Sequence, residues 1–186
     1  MTTTIETLKN ALPAYAKDIK LNLSSVLSEE QENLSGKQQA IIAVAVVNSL
    51  KQPTVTEAVE SWASATLSAE EVDGARLAAA LMGMNNIYYR FAHLSSNQDY
   101  LKMPARLRMN SMSNPGIESA DFELASLAVS VVNGCGLCID SHEKKLQGEN
   151  VTTACIQDAA RIAAVLHAVA QVLMSQSNSS AGSIAA

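Results

Sequence analysis

A chain of 186 residues that is 48% hydrophobic but only 4% aromatic, with 8 Gly and 4 Pro, has the profile of an all-α protein whose Ala and aliphatic side chains let helices pack closely. That length suits one compact domain, or two fused repeats sharing a core, and buries roughly 70% of the unfolded surface without a covalent staple. The net charge of −5 is spread along the chain without a basic stripe, which excludes the clustered positive face that nucleic acid requires.

No apolar run reaches the about 18 residues of a membrane span, and the N-terminus has no cationic-then-apolar signal pattern, so a cytoplasmic protein with no membrane partner is expected. Three cysteines are too few for an extracellular disulfide framework.

In chain order, residues 5–26 read as a short helix, a break at Leu12–Pro13 and a second helix, because Pro13 fits a first helical turn better than a helix interior. Ser28-Glu29-Glu30-Gln31 has the capping-box pattern and predicts a helix start, with a further helix from Lys37 to about Leu50. Pro53 restarts the chain as a helix over 54–65. A second capping box, Ser68-Ala69-Glu70-Glu71, leads into a helix through 74–93, which is apolar around most of its circumference at first and therefore expected at the centre.

Residues 94–117 form the longest irregular stretch, with a turn at Asn114-Pro115-Gly116. A helix through Glu123 follows. Next come the turn Cys135-Gly136-Leu137-Cys138, a helix from about Cys138 to Leu146, and a last helix over 154–174 capped by Thr152 or Thr153. The small, polar tail at 175–186 is expected to be disordered, leaving a single domain over 1–174.

Sliding the chain along itself by 85 residues lays AVAVVN at 43–48 over AVSVVN at 128–133 and, without a gap, ARLAAAL at 75–81 over ARIAAVL at 160–166. We read a duplicated helical unit, with halves at about 28–93 and 118–174 related by a pseudo-twofold. At this offset Cys135, Cys138 and His142 correspond to Leu50, Pro53 and Glu57, and Glu123 to Gln38. The scaffold recurs while the reactive set occurs once, so the fold does not require that set.

Two thiols two residues apart can close a small disulfide ring, and a basic group nearby can hold one as thiolate; this is the equipment of thiol redox chemistry. His142 follows Cys138 by four residues and shares its face if the segment is helical, which makes it the candidate base. Glu123, among apolar neighbours Leu124, Leu127 and Ala128, is expected to be partly buried and to orient that base or relay a proton. Its bland alternative is a helix-start acid in a favourable dipole position.

A mononuclear metal site from Cys135, Cys138, His142 and one carboxylate uses the same spacing, although structural zinc usually takes two separated pairs. Both cysteines could also be small buried hydrophobes. His167, within AAVLHAVA, reads as a packed core histidine and His93 as a helix-end cation. Cys155 reads as a bystander, and the Met82-Gly83-Met84 and Tyr88-Tyr89 run as helix packing.

The blocks ALPAYAKDIKLNLSSV at 11–26, MGMNNIYYR at 82–90, LRMN and NPGI within 107–117, and NGCGLCIDSHE at 133–143 resemble the alkyl hydroperoxide reductase D (AhpD) family of the carboxymuconolactone decarboxylase-like superfamily. That resemblance implies a duplicated all-α fold, a homotrimer and a dithiol peroxidase. No cofactor is tightly bound on this reading. Reduction comes from dihydrolipoyl groups on a lipoylated 2-oxoacid dehydrogenase component, recharged by dihydrolipoamide dehydrogenase and NADH. A two-cysteine peroxiredoxin, AhpC, is a further implied partner.

By position, the resemblance makes Cys138 the peroxide-attacking thiol, Cys135 the resolving thiol, and His142 and Glu123 the proton relay. Leu137 departs from the family pattern, which often has histidine there. An electron carrier to a peroxiredoxin without its own peroxidase activity, and a metal-binding or structural oligomer, are the competing functions.

Overall fold

The computed structural model describes residues 4–27 and 31–182, with side chains described to residue 176. Among the described residues the chain is helical throughout, with α1 (Ile5–Ala11), α2 (Lys17–Leu27), α3 (Gly36–Ser49), α4 (Pro53–Ala63), α5 (Ala69–Leu94), α6 (Ser119–Asn133), α7 (Gly136–Gly148) and α8 (Thr153–Gly182), plus short 3-10 turns at Ala14–Ala16, Gln98–Leu101 and Asn110–Ser113. The all-α expectation holds.

Local chemistry explains most boundaries. Pro13 separates α1 from the turn that opens α2, and Pro53 occupies the first turn of α4, where its missing N–H is not needed. Ser68 and Glu71 cap α5 reciprocally, as their spacing predicts. Helix α3 starts at Gly36, one residue from the expected Lys37, on a capping box of Ser35 with Gln38, but the additional helix expected to open at Ser28 does not run through residues 31–35, which are not helical. Ser28, Glu29 and Glu30 lie outside the described residues.

The last helix also runs further than its expected end, continuing from 174 to Gly182, because no Gly or Pro interrupts it and extending a formed helix is far easier than nucleating one. Residues 183–186 lie outside the described residues.

Helices α3 and α6 form the middle of the core. Every residue from Gln39 to Val47 on α3 and from Asp121 to Ser130 on α6 is buried, and a helix apolar around its circumference must be surrounded. Helices α5 and α8 each pack on both of them, α4 closes over α3, and α7 lies against α6 and α5. Alanines 75, 78, 79, 125, 128, 159, 163 and 170 are all buried, which lets these helices approach closely.

Helix α8 is long and apolar enough over Thr153–Gln176 to cross a membrane, but it packs on α2, α3 and α6, and Ile162, Ala163, Leu166 and Val169 are core residues. Moving α3, α4 and α5 forward by 85 residues gives 121–134, 138–148 and 154–179, close to the observed α6, α7 and α8.

The Asn114–Ile117 turn, with Gly116 at φ +79°, folds over α5 at Gly74. A Cβ on Gly74 would stand 2.8 Å from both the Pro115 carbonyl oxygen and Ile117 Cγ2. Alanine ordinarily gains up to about 1 kcal/mol over glycine inside a helix, yet overpacking against fixed backbone costs about 1–3 kcal/mol. Gly74→Ala is therefore expected to lower the urea midpoint at unchanged slope, by the equivalent of about 1 kcal/mol; an unchanged or higher midpoint would show that the turn yields freely.

Candidate active site

Helix α6 ends at Gly134, whose left-handed conformation (φ 64°, ψ 38°) lets the chain reverse. The Cys135 N–H then donates back to the Ser130 carbonyl at 3.1 Å, so the first thiol is held on the last turn of α6. From Gly136 the chain is helical again, and the Cys135 carbonyl accepts from the N–H groups of Cys138 and Ile139, both at 3.0 Å. Cys138 thus sits in the first turn of α7, where unpaired amides and the helix dipole favour an anion. The two sulfurs are joined as a disulfide.

Cys138, His142 and Leu146 are the buried residues of α7, spaced by four, so the shared face expected for Cys138 and His142 is the face that packs inward. The His142 ring does not turn to solvent. Its Nδ1 lies 2.6 Å from Glu123 Oε2 and its Nε2 lies 3.3 Å from Met82 Sδ on α5. The other carboxylate oxygen of Glu123 accepts from Lys145 Nζ at 2.6 Å.

Glu123, buried on α6 with its side chain 3% exposed, therefore has an imidazole and an ammonium on its two oxygens. Burial alone would push its carboxyl up, but the hydrogen bonds and charges of His142 and Lys145 outweigh that and hold it below the ordinary carboxylate value. Among the described residues neither ring nitrogen of His142 bonds to a sulfur of the pair; ring and Cys138 instead face one cavity.

That cavity, of about 370 Å³, is lined by Met82, Asn85 and Tyr89 of α5, by Met109 and Met112 of the irregular stretch, and by Leu137, Cys138, Ser141 and His142 of α7. Its walls are mainly apolar, and it is large enough for a small organic molecule. Leu137, at the position where the resemblance implies histidine, contributes apolar wall. Cys135 is fully buried behind Cys138. A polar chain braces this corner from α5: Asn86 donates to Ser130 Oγ, Asn133 donates to Asn86 Oδ1, and Arg90 donates to the Asn133 carbonyl at the end of α6.

The remaining candidates lie elsewhere. Cys155 is buried near the start of α8, where burial, aided by the charges of Asp158 and Asp121, pushes its thiol up and away from thiolate chemistry. His93 lies exposed in the last turn of α5, and His167 is half-buried on α8 with an unpartnered Nδ1. Among the described residues no three or more of His, Cys, Asp and Glu converge as a metal site would need.

Sequence reasoning brought forward Cys135, Cys138, His142 and Glu123 but passed over Lys145, Met82 and Asn85. For Lys145 a signal existed, since 138, 142 and 145 continue one helical face.

Replacing Glu123 by glutamine keeps the shape and removes the charge. Because the folded carboxyl lies below its ordinary value, its stabilising share is present above the ordinary carboxylate range and is lost as pH falls through the folded value. Glu123→Gln is thus expected to cost about 2 kcal/mol at neutral pH, after discounting for the half-exposed Lys145 ammonium, and the gap to the parent protein should close as acidification passes below the ordinary carboxylate range. Unfolding curves collected across pH check this; a gap that stays constant would contradict the pairing.

The sequence profile of the carboxymuconolactone decarboxylase family matches residues 98–175. Among curated proteins, the chain is 52% identical over 166 residues to the alkyl hydroperoxide reductase AhpD of Bradyrhizobium sp. strain BTAi1, covering 89% of this chain and 91% of that protein. It is 50% identical over 173 residues to that of Maricaulis maris, covering 93% and 99%, and 48% identical over 169 residues to that of Brucella suis, covering 91% and 95%. Identity at this level over nearly the whole length, together with a disulfide-forming Cys-x-x-Cys on an all-helical scaffold, shows that the chain belongs to the AhpD family of the carboxymuconolactone decarboxylase-like superfamily.

Proposed function

We propose that this chain is a thiol-dependent peroxidase of antioxidant defence, cycling between the Cys135/Cys138 dithiol and disulfide. The observation that carries this reading is the position of Cys138: first turn of a helix, beside a mainly apolar cavity, with its partner sulfur sealed behind it. A free thiol titrates near pH 8.5, so something must favour the thiolate at neutral pH, and here the α7 amides act on Cys138. Glu123, kept as carboxylate, accepts the Nδ1 proton of His142, which leaves Nε2, resting 3.3 Å from Met82 Sδ, as the nitrogen that takes the Cys138 proton. Lys145 balances the buried charge.

In the cycle, the Cys138 thiolate attacks the terminal oxygen of a hydroperoxide, becoming sulfenic acid and releasing the alcohol. The Cys135 thiol then condenses with it, releasing water and closing the disulfide. A dihydrolipoyl dithiol reopens the pair by exchange and leaves as the cyclic disulfide. The donor would be a lipoylated 2-oxoacid dehydrogenase component recharged by dihydrolipoamide dehydrogenase and NADH, with the peroxiredoxin AhpC as a further electron acceptor. This chemistry calls for the reducing cytoplasm. An exposed apolar stripe on α5, with Ile87, Leu94 and Phe91, whose ring also meets Tyr100, supports association between copies, and the family resemblance makes that assembly a homotrimer.

The test is Cys135→Ser and Cys138→Ser, each assayed for peroxide-dependent dihydrolipoamide oxidation. Both are expected to lose turnover at least a thousandfold, near the level of removing an essential nucleophile. Only the Cys135 variant should accumulate a trappable sulfenic acid on first exposure to peroxide; a trapped species on Cys135 in the other variant would reverse the assignment. If the reduced parent protein alone loses no thiol on mixing with cumene hydroperoxide, the electron-carrier reading replaces the peroxidase.

A further inference from the structure

One polar group in the cavity has no structural employment. Asn85 on α5 is 5% exposed, lines the cavity beside Cys138 and His142, and its Oδ1 is buried without a hydrogen-bond partner. Its neighbour Asn86 is placed equally deep but is fully engaged, bonding Ser130 and Asn133 and thereby bracing the end of α6. A buried amide oxygen left unpaired destabilises a protein by an amount comparable to a lost hydrogen bond, and an apolar residue of the same shape would remove that penalty. Half of the other lining residues are thioether or aliphatic, and the hydroxyls of Tyr89 and Ser141 can donate as well as accept, so the Asn85 oxygen is the one amide acceptor on the wall.

We propose that Asn85 is a substrate-binding residue whose Oδ1 accepts the O–H of a hydroperoxide and so presents its terminal oxygen to Cys138. This rests on the peroxidase reading above. A hydroperoxide carries one O–H, on the oxygen that the thiolate must reach, and an acceptor on α5 in the same cavity as the α7 sulfur fixes which oxygen is presented to it. In the step, a bond forms between Cys138 Sγ and the terminal oxygen while the O–O bond breaks; sulfur is oxidised by two electrons and the peroxide is reduced. The departing alkoxide takes the proton that left the Cys138 thiol, through His142. The hydrogen on the terminal oxygen stays with it, so the product sulfenic acid retains the same O–H donor for Asn85.

The test uses the full chain, reduced, and compares two rate constants at Cys138: oxidation by cumene hydroperoxide and alkylation by methyl iodide. Methyl iodide reads thiolate character and access but has no O–H or N–H to donate to Asn85. For Asn85→Leu, close in shape and lacking the acceptor, the ratio of peroxide to alkylation rate constants is expected to fall about tenfold or more, the kinetic equivalent of one hydrogen bond. The melting temperature should hold or rise, because an unpaired buried group has been removed.

A ratio that falls less than threefold, including the case where both rates drop together, overturns the proposal and leaves Asn85 a packing residue. Should the leucine variant not fold, Asn85→Ala only removes atoms and is read by the same ratio. If the parent protein alkylates but does not react with the peroxide, the peroxidase reading itself fails, an outcome distinct from a parent that reacts and a variant that keeps pace.

Discussion

A single carboxylate holds the working part of this molecule in place. Glu123 stands in the second turn of α6, a helix buried among mainly apolar side chains, and a charge there is tolerated because both its oxygens are met, one by His142 and one by Lys145. Both partners come from α7. Their spacing along α7 lets them reach the same carboxylate together, so the ion pair sets the rotation of α7 about its own axis. With that rotation set, Cys138 has its direction as well, because it lies one turn before His142 on the same face. The orientation of the sulfur toward the cavity thus follows from charge pairing to the adjacent helix together with the disulfide that ties Cys138 to Cys135.

The positions offset by 85 residues show the same point from the other side. Helices α3, α4 and α5 match α6, α7 and α8 in order and nearly in length, yet Gln38, at the position equivalent to Glu123, turns back to cap its own helix. In the first half, Leu50 and Pro53 occupy the positions of the two thiols: Leu50 ends α3 and Pro53 starts α4. A leucine and a proline manage that junction without any special chemistry. At the second junction Gly134 turns the chain, so the two thiols are not needed for the turn and are free for reactivity.

Much of this was legible in the residues because it is local. Prolines 13 and 53, the Ser68–Glu71 box, the turn at Gly134 and the i, i+4 relation of Cys138 and His142 all act within a few residues, and each appears where its chemistry places it. The Ser-led pattern at 28 was less informative: residues 31–35 after it are not helical, and the box that caps α3 is Ser35 with Gln38, which starts that helix at Gly36, one residue before the expected Lys37. What the sequence does not display is contact between helices. Met82 is 60 residues from the imidazole it touches, and Asn85 and Lys145 acquire meaning only when α5, α6 and α7 are assembled. The length of α8 was underestimated because composition alone makes serine-rich segments look unstructured, whereas attached to a formed helix they extend it.

The burial of the two sulfurs has one more consequence. Cys135 has no exposed surface, whereas Cys138 borders the cavity. In the proposed cycle a reducing dithiol must therefore also strike Cys138, expelling the inner sulfur as the leaving group, and so it uses the same doorway as the oxidant. Peroxide and reductant cannot occupy that doorway together, which makes the enzyme a strict double-displacement catalyst, one that an excess of either co-substrate would slow by shutting out the other.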